Sequence, residues 1–262
     1  MKILRSVALA LLAVWFVLPL VPVLLWAVAN RWPAAARWPQ TWGVSGWLGA
    51  GRDGAAASLV ASLVLGVAVA LVATPLGVLA GRALGWRRLT HPSLSAVLLL
   101  LPVALPPFAV AMGLDVVALR LHVPPLVAVV VLLAVFALPY TTYILRAAFA
   151  GLDPQLEEQA ALLGATPALV QLRVTLPALR PALAAAAGMA FLVGWSDYAV
   201  TLIVGSGRII TLPILLGASA SGTGNEPTTS ALAVLAVAPI LAAGALAIIV
   251  TRAHGVRRKE KP

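Results

Sequence analysis

Asp197 lies inside a long apolar run, Ala182–Val204, in the stretch Gly194-Trp195-Ser196-Asp197-Tyr198. A carboxylate at the centre of a lipid-embedded helix costs ~2.5–3.5 kcal/mol on insertion scales, so such groups face a cavity or a partner. Two readings of Asp197 stand. It is a group on a solute pathway, where Trp195 and Tyr198 would help attract a cation through their ring faces, or it is structural, capping a break after the helix or pairing with Arg208. Ser196 belongs to the same patch. A second polar cluster, Tyr140, Thr141, Thr142 and Tyr143, follows Pro139, and a third apolar run contains Pro102, Pro106 and Pro107. Proline frees carbonyls that survive in lipid only against neighbouring helices or a wet cavity, so these faces are expected to point inward.

Other chemistries lack their residues. There is no cysteine, hence no disulfide, thiolate site or Cys nucleophile. His91, His122 and His254 are isolated, without a second ligand at metal spacing, so no metal site is expected. No Gly-x4-Gly-Lys-Ser/Thr loop is present to cradle a nucleotide, and Gly-rich Ser219–Gly224 has no lysine after it. Neither a nucleophile with its base nor a His-Glu-x-x-His site lies in the apolar runs, which argues against an intramembrane enzyme.

The elements holding these residues follow from composition. The 262 residues are 62% hydrophobic and 10% charged, with mean hydropathy +1.04. Soluble domains carry about 25% charged residues, so this chain cannot make a water-facing surface and is read as an integral membrane protein. Continuous rather than alternating apolar runs imply helices, not barrel strands. A bilayer core needs ~20 apolar residues per helix, and six runs meet that scale: Val7–Ala29, Ala55–Ala80, Pro92–Leu114, Leu126–Leu145, Ala182–Val204 and Ala231–Val250. The expected class is all-α, a polytopic membrane protein with six transmembrane helices. Small residues in the second and fifth runs suit close helix packing.

The net charge of +10 sets orientation rather than nucleic-acid binding, because no basic stripe tracks a phosphate backbone. With the N-terminus inside, Lys2, Arg5, Arg82, Arg87, Arg88, Arg146, Arg173, Arg180, Arg252, Arg257, Arg258, Lys259 and Lys261 fall on the cytoplasmic side. Arg31, Arg37, Arg52, Arg120 and Arg208 fall outside. Thirteen against five places both termini in the cytoplasm. Ala27-Val28-Ala29 resembles a leader-cleavage site, but the first run exceeds the ~7–15 residues of a leader's apolar region and is expected to stay attached. Arg31–Gly54 carries Trp32, Trp38, Trp42 and Trp47, half of the eight tryptophans. It reads as an interfacial helix or loop on the outer leaflet.

The longest inside connection, 146–181, differs from every other loop. Asp153-Pro154 and Thr166-Pro167 each place a capping acceptor before a proline at the first helical position. Gly164 sits where a left-handed C-cap is expected, and Leu176-Pro177 marks the end of the second run. Two short helices with a sharp turn, lying on the inner membrane face, are predicted.

The run EEQAALLGATPALVQLRVTLP within this loop resembles the cytoplasmic signature of type I ABC importer permeases, Glu-Ala-Ala, three residues, Gly, nine residues, Ile-x-Leu-Pro. Glu158, Gln159 and Ala160 fall on the first three positions, Gly164 on the glycine, and Val174, Leu176 and Pro177 on the last; Gln159 and Val174 depart from the pattern. The resemblance implies a type I importer permease fold. Residues 1–54 would be an N-terminal transmembrane helix with its Trp-rich external loop. Residues 55–251 would form a five-helix core containing the coupling loop, and 252–262 a basic cytoplasmic tail. It further implies that the loop docks on a separate ATPase, with Glu158 as a polar anchor.

The implied partners are a cytoplasmic ATPase dimer that binds ATP and magnesium, a second permease chain identical or homologous to this one, and an extracytoplasmic substrate-binding protein. The implied location is a bacterial or archaeal inner membrane. No cofactor and no enzymatic activity are expected of the chain itself. The run WSDYAVTLIVGSGRIITLPILL is most similar to the spermidine/putrescine branch, which is close to branches serving thiamine, ferric iron, phosphonates and sulfate. The competing class is a stand-alone secondary transporter or channel. That would call for several intramembrane charges or matched halves, and the sequence has one such acid.

Overall fold

The computed structural model describes residues 2–33, 35–86 and 91–241. Expectations for Arg87, Arg88, His254, the basic tail and residues 242–250 of the last run fall outside them.

The helices in chain order are α1 (Lys2–Val17), α2 (Leu20–Ala27), α3 (Ser45–Arg52), α4 (Ala55–Gly85), α5 (Pro92–Ala104), α6 (Pro107–Arg120) and α7 (Pro125–Ala150). There follow α8 (Gln155–Leu162), α9 (Pro167–Val170), a π-helical turn at Gln171–Thr175, α10 (Leu176–Ala178), α11 (Arg180–Ser196), α12 (Ala199–Val204) and α13 (Leu212–Ala220). A last apolar helix, α14, covers Glu226–Leu241. Among the described residues the departure from helix is an antiparallel strand pair, β1 (Ala29–Arg31) with β2 (Thr41–Trp42).

The chain divides into two compact units, Met1–Leu59 with Thr211–Pro262, and Val60–Ile210. In the first unit the Trp-rich segment is a strand pair leading into α3. Trp26 and Trp32 rings lie 5.1 Å apart, Asn30 Oδ1 accepts from Ser45 N at 3.0 Å, and Trp38 and Trp42 stay exposed. α3 meets the first turn of α14 through glycines: a Cβ at Gly46 would approach the Pro227 carbonyl oxygen to 2.3 Å.

In the second unit α4 and α7, with 31 and 26 residues, are long and apolar enough to cross a bilayer unaided. Gly77, Gly81 and Gly85 lie on one stripe of α4 at i, i+4 spacing. Cβ atoms there would come within 2.5, 2.8 and 2.7 Å of Thr141, Leu145 and Phe149 of α7. Gly194 of α11 likewise meets Gly66 of α4, at 2.9 Å. Small residues thus let backbones approach as lipid-embedded packing favours. Leu65, Val69, Leu133, Ala137, Ala190 and Val200 form the buried centre.

Besides a two-residue interruption of Val7–Ala29 at Leu18 and Pro19, between α1 and α2, two expected continuous spans are broken. Pro92–Leu114 becomes α5 and α6, bent by 100°. Proline disfavours helix at the residue before it: Leu105 and Pro106 are extended, with ψ 143° and 123°. Pro107 then restarts the helix at its first turn. Ala182–Val204 becomes α11 and α12, interrupted at Asp197, where ψ is 132°.

Candidate functional site

Loop 146–181 is built as its local sequence directs. Asp153 Oδ1 accepts from Gln155 N at 2.9 Å, and Thr166 Oγ1 accepts from Leu169 N at 3.4 Å, so both caps form. Gly164 has φ +85°. Its N–H donates to Ala161 O at 2.9 Å, and Ala165 N donates to Ala160 O at 3.1 Å, the paired bonds of a Schellman C-cap. The second helix differs from expectation. It continues through the π turn and past Pro177 to Ala178, then bends by 82° into α11. A proline ring crowds the carbonyl four residues back, here Arg173, and the wide turn over Gln171–Thr175 accommodates it.

α8 has two faces. Glu158, Gln159, Leu162 and Leu163 point outward, the two leucines 88% and 89% exposed, while Ala160 is half-buried. Glu157 turns inward and forms an ion pair with Arg82 at the end of α4. Val174, Leu176 and Pro177 are half-buried in the second helix. Sequence reasoning singled out Glu158 and missed Glu157. The adjacent acids differ only in which side of α8 they occupy, and nothing local marks Arg82 as a partner.

The two helix breaks share one cavity of about 510 Å³. Pro102, Leu105, Pro107 and Phe108 line it from the first break, and Ser196, Asp197, Tyr198 and Val200 from the second. Phe136 and Tyr140 of α7 contribute to its wall, and Asp197 is the one charged lining residue. Asp197 also caps α12: Oδ2 accepts from Thr201 N and Thr201 Oγ1, each at 2.8 Å, and Oδ1 from Val200 N at 3.4 Å. Among the described residues no ion pair joins it to Arg208, so the structural role expected of it is a cap and not a salt bridge. Ser196 Oγ donates to Leu192 O at 2.7 Å.

Four of the six expected pathway residues, Tyr140, Ser196, Asp197 and Tyr198, therefore meet at this cavity. Trp195 and Thr141 do not. Trp195 is buried and stacked on Phe191 at 5.7 Å. Thr141 is buried, its hydroxyl donating to Leu138 O at 3.0 Å and approaching Ala73 O at 3.3 Å. Phe108 and Phe136 were not singled out. The clue to Phe108 was its position beside Pro107. Among the described residues no group of three or more His, Cys, Asp or Glu could hold a metal ion.

Residues 73–259 match the family described as binding-protein-dependent transport system inner membrane component. The chain is 30% identical over 200 residues to an ABC transporter permease protein, ORF1, of Streptomyces antibioticus, covering 72% of this chain and 82% of that one. It superimposes with TM-score 0.68 on a chain from the crystal structure of a bacterial ABC transporter involved in the import of the acidic polysaccharide alginate. That match covers 100% of this chain and 96% of the other at 16% identity, a likeness of fold. The chain belongs to the binding-protein-dependent inner-membrane family and is a membrane-embedded permease subunit of a type I ABC importer. A stand-alone transporter or channel is set aside by that membership.

Proposed function

We propose that the chain forms half of a solute pathway for a small organic cation of the polyamine type and is driven by a separate ATPase dimer docked on loop 146–181. A second permease chain, identical or homologous, completes the pathway, and an extracytoplasmic binding protein delivers the solute. The loop faces the cytoplasm, as do both termini, in a six-span arrangement; the excess of inside arginine and lysine supports this orientation.

The observation that carries the cation preference is the cavity at the two helix breaks. Its single charged lining residue is Asp197, and Phe108, Phe136, Tyr140 and Tyr198 share the lining. Aromatic faces and a carboxylate suit an organic cation. No basic side chain lines the cavity to hold sulfate, a phosphonate or an acidic polysaccharide. ATPase docking is supported by the outward face of α8, where Glu158 and Gln159 stand beside an exposed leucine pair on a rigid turn. ATP and magnesium are held by the partner chain.

Asp197→Asn tests the cation preference, because the asparagine carbonyl oxygen can keep both 2.8 Å bonds from Thr201, giving up only the 3.4 Å bond from Val200 N, while lacking the charge. Cells expressing the whole importer should take up radiolabelled spermidine, and Asp197→Asn should reduce uptake about tenfold or more, the scale of one lost charge contact at low effective dielectric, with normal membrane levels. Equal spermidine uptake by the variant would refute the cation preference.

A further inference from the structure

Glu157 and Arg82 lie 75 residues apart in sequence, yet they close a polar knot at one end of the Val60–Ile210 unit. One oxygen of Glu157 pairs with Arg82 of α4. The other accepts from Thr175 Oγ1 at 2.6 Å and Gln171 Nε2 at 3.3 Å, both in the π turn. The Arg82 guanidinium lies 4.8 Å from the ring centroid of Trp86, whose Nε1 donates to Phe149 O at 2.9 Å and approaches Leu152 O at 3.3 Å. The ends of α4 and α7 and both loop helices are therefore tied by directional bonds. The pair is largely shielded, with side chains 29% and 13% exposed.

The rest of α4 is held differently. Toward Arg82 its contact with α7 runs along Gly77, Gly81 and Gly85, a stripe with no side chains to interlock, while Leu65, Val69 and Ala73 farther along pack into the buried centre. Such a face permits the small sliding displacements by which packed helices move, and the grip of the loop on α4 is the ion pair at Arg82. We propose that the Arg82–Glu157 pair is the joint that carries displacement of loop 146–181 into α4, with both residues acting as positioning groups for transport. This rests on the reading of the loop as the ATPase-facing element.

Hydrogen exchange on the assembled importer in nanodiscs, with its ATPase pair, tests the joint. Exchange is compared without nucleotide and after trapping with MgATP and vanadate. The native importer should show nucleotide-dependent changes both in residues 155–163 and in residues 79–86. Arg82→Gln and Glu157→Gln should keep the change in the loop and lose it in α4, and the swapped pair Arg82→Glu with Glu157→Arg should recover part of it. An undiminished α4 response in both single variants overturns the joint. So does failure of the single variants to retain the ATPase on purification, which would make the pair a structural staple only. No nucleotide response in residues 155–163 of the native importer overturns the ATPase-facing reading itself, an outcome distinct from the other two.

Discussion

Gly164 shows how much a single backbone angle can carry. A Cβ there would meet nothing within 4 Å, so its constraint is the φ of +85° and not space. Left-handed backbone costs an ordinary L-residue roughly 1–2 kcal/mol, and a β-branched one most. Gly164→Val should therefore leave the protein in the membrane fraction at normal levels while abolishing uptake, because the turn that aims α8 is lost; normal uptake would remove the loop from coupling. Asp197→Ala should lower the melting temperature of the detergent-solubilised permease, reflecting about 1 kcal/mol for a lost helix cap, whereas Asp197→Asn, which can keep the Thr201 bonds, should lower it less. Both positions were legible in sequence because caps and left-handed turns are local chemistry: Thr166-Pro167, Asp153-Pro154 and Gly164 announce themselves within a few residues. Glu157 was not legible, since its partner is 75 residues away and helix phase alone separates it from Glu158.

Among the elements, α4 and α7 depend on the absence of side chains. Gly81→Val would push a side chain into Leu145, where even a Cβ comes within 2.8 Å. Overpacking of this kind costs roughly 1–3 kcal/mol. The variant should melt at lower temperature in detergent, and Gly51→Val, at a position with open space around it, should not. The small residues were visible in the sequence as a packing tendency, and their partners were not. The broken spans were half visible. Pro106-Pro107 signalled an interruption, but the 100° bend is set by how α5 and α6 pack, which no local propensity encodes. The π turn left no sequence trace beyond Pro177, and reading that proline as a terminator mistook an accommodated ring for a stop.

At the level of the whole molecule, the topology makes a prediction that the missing cysteines render simple to check. Gln159→Cys should react with a membrane-impermeant thiol reagent only in inside-out vesicles, and Gly51→Cys in intact spheroplasts, with no native thiol to remove. Labelling of Gln159→Cys from outside would invert the proposed orientation. Composition alone was enough to identify a membrane chain, and one loop motif was enough to identify its class. The cavity was recoverable only in part, because sequence can show which residues are polar but not which turn toward a common space: Trp195 and Thr141 pack away from it while Phe108 and Phe136 enter it.

The exposed leucines at 162 and 163 have a further consequence for the cell. An apolar tip held out into an aqueous compartment is sticky, and on the proposed orientation only the ATPase conceals it. A permease made in excess of its ATPase would display that tip until another surface, a chaperone or a second orphan, took hold of it.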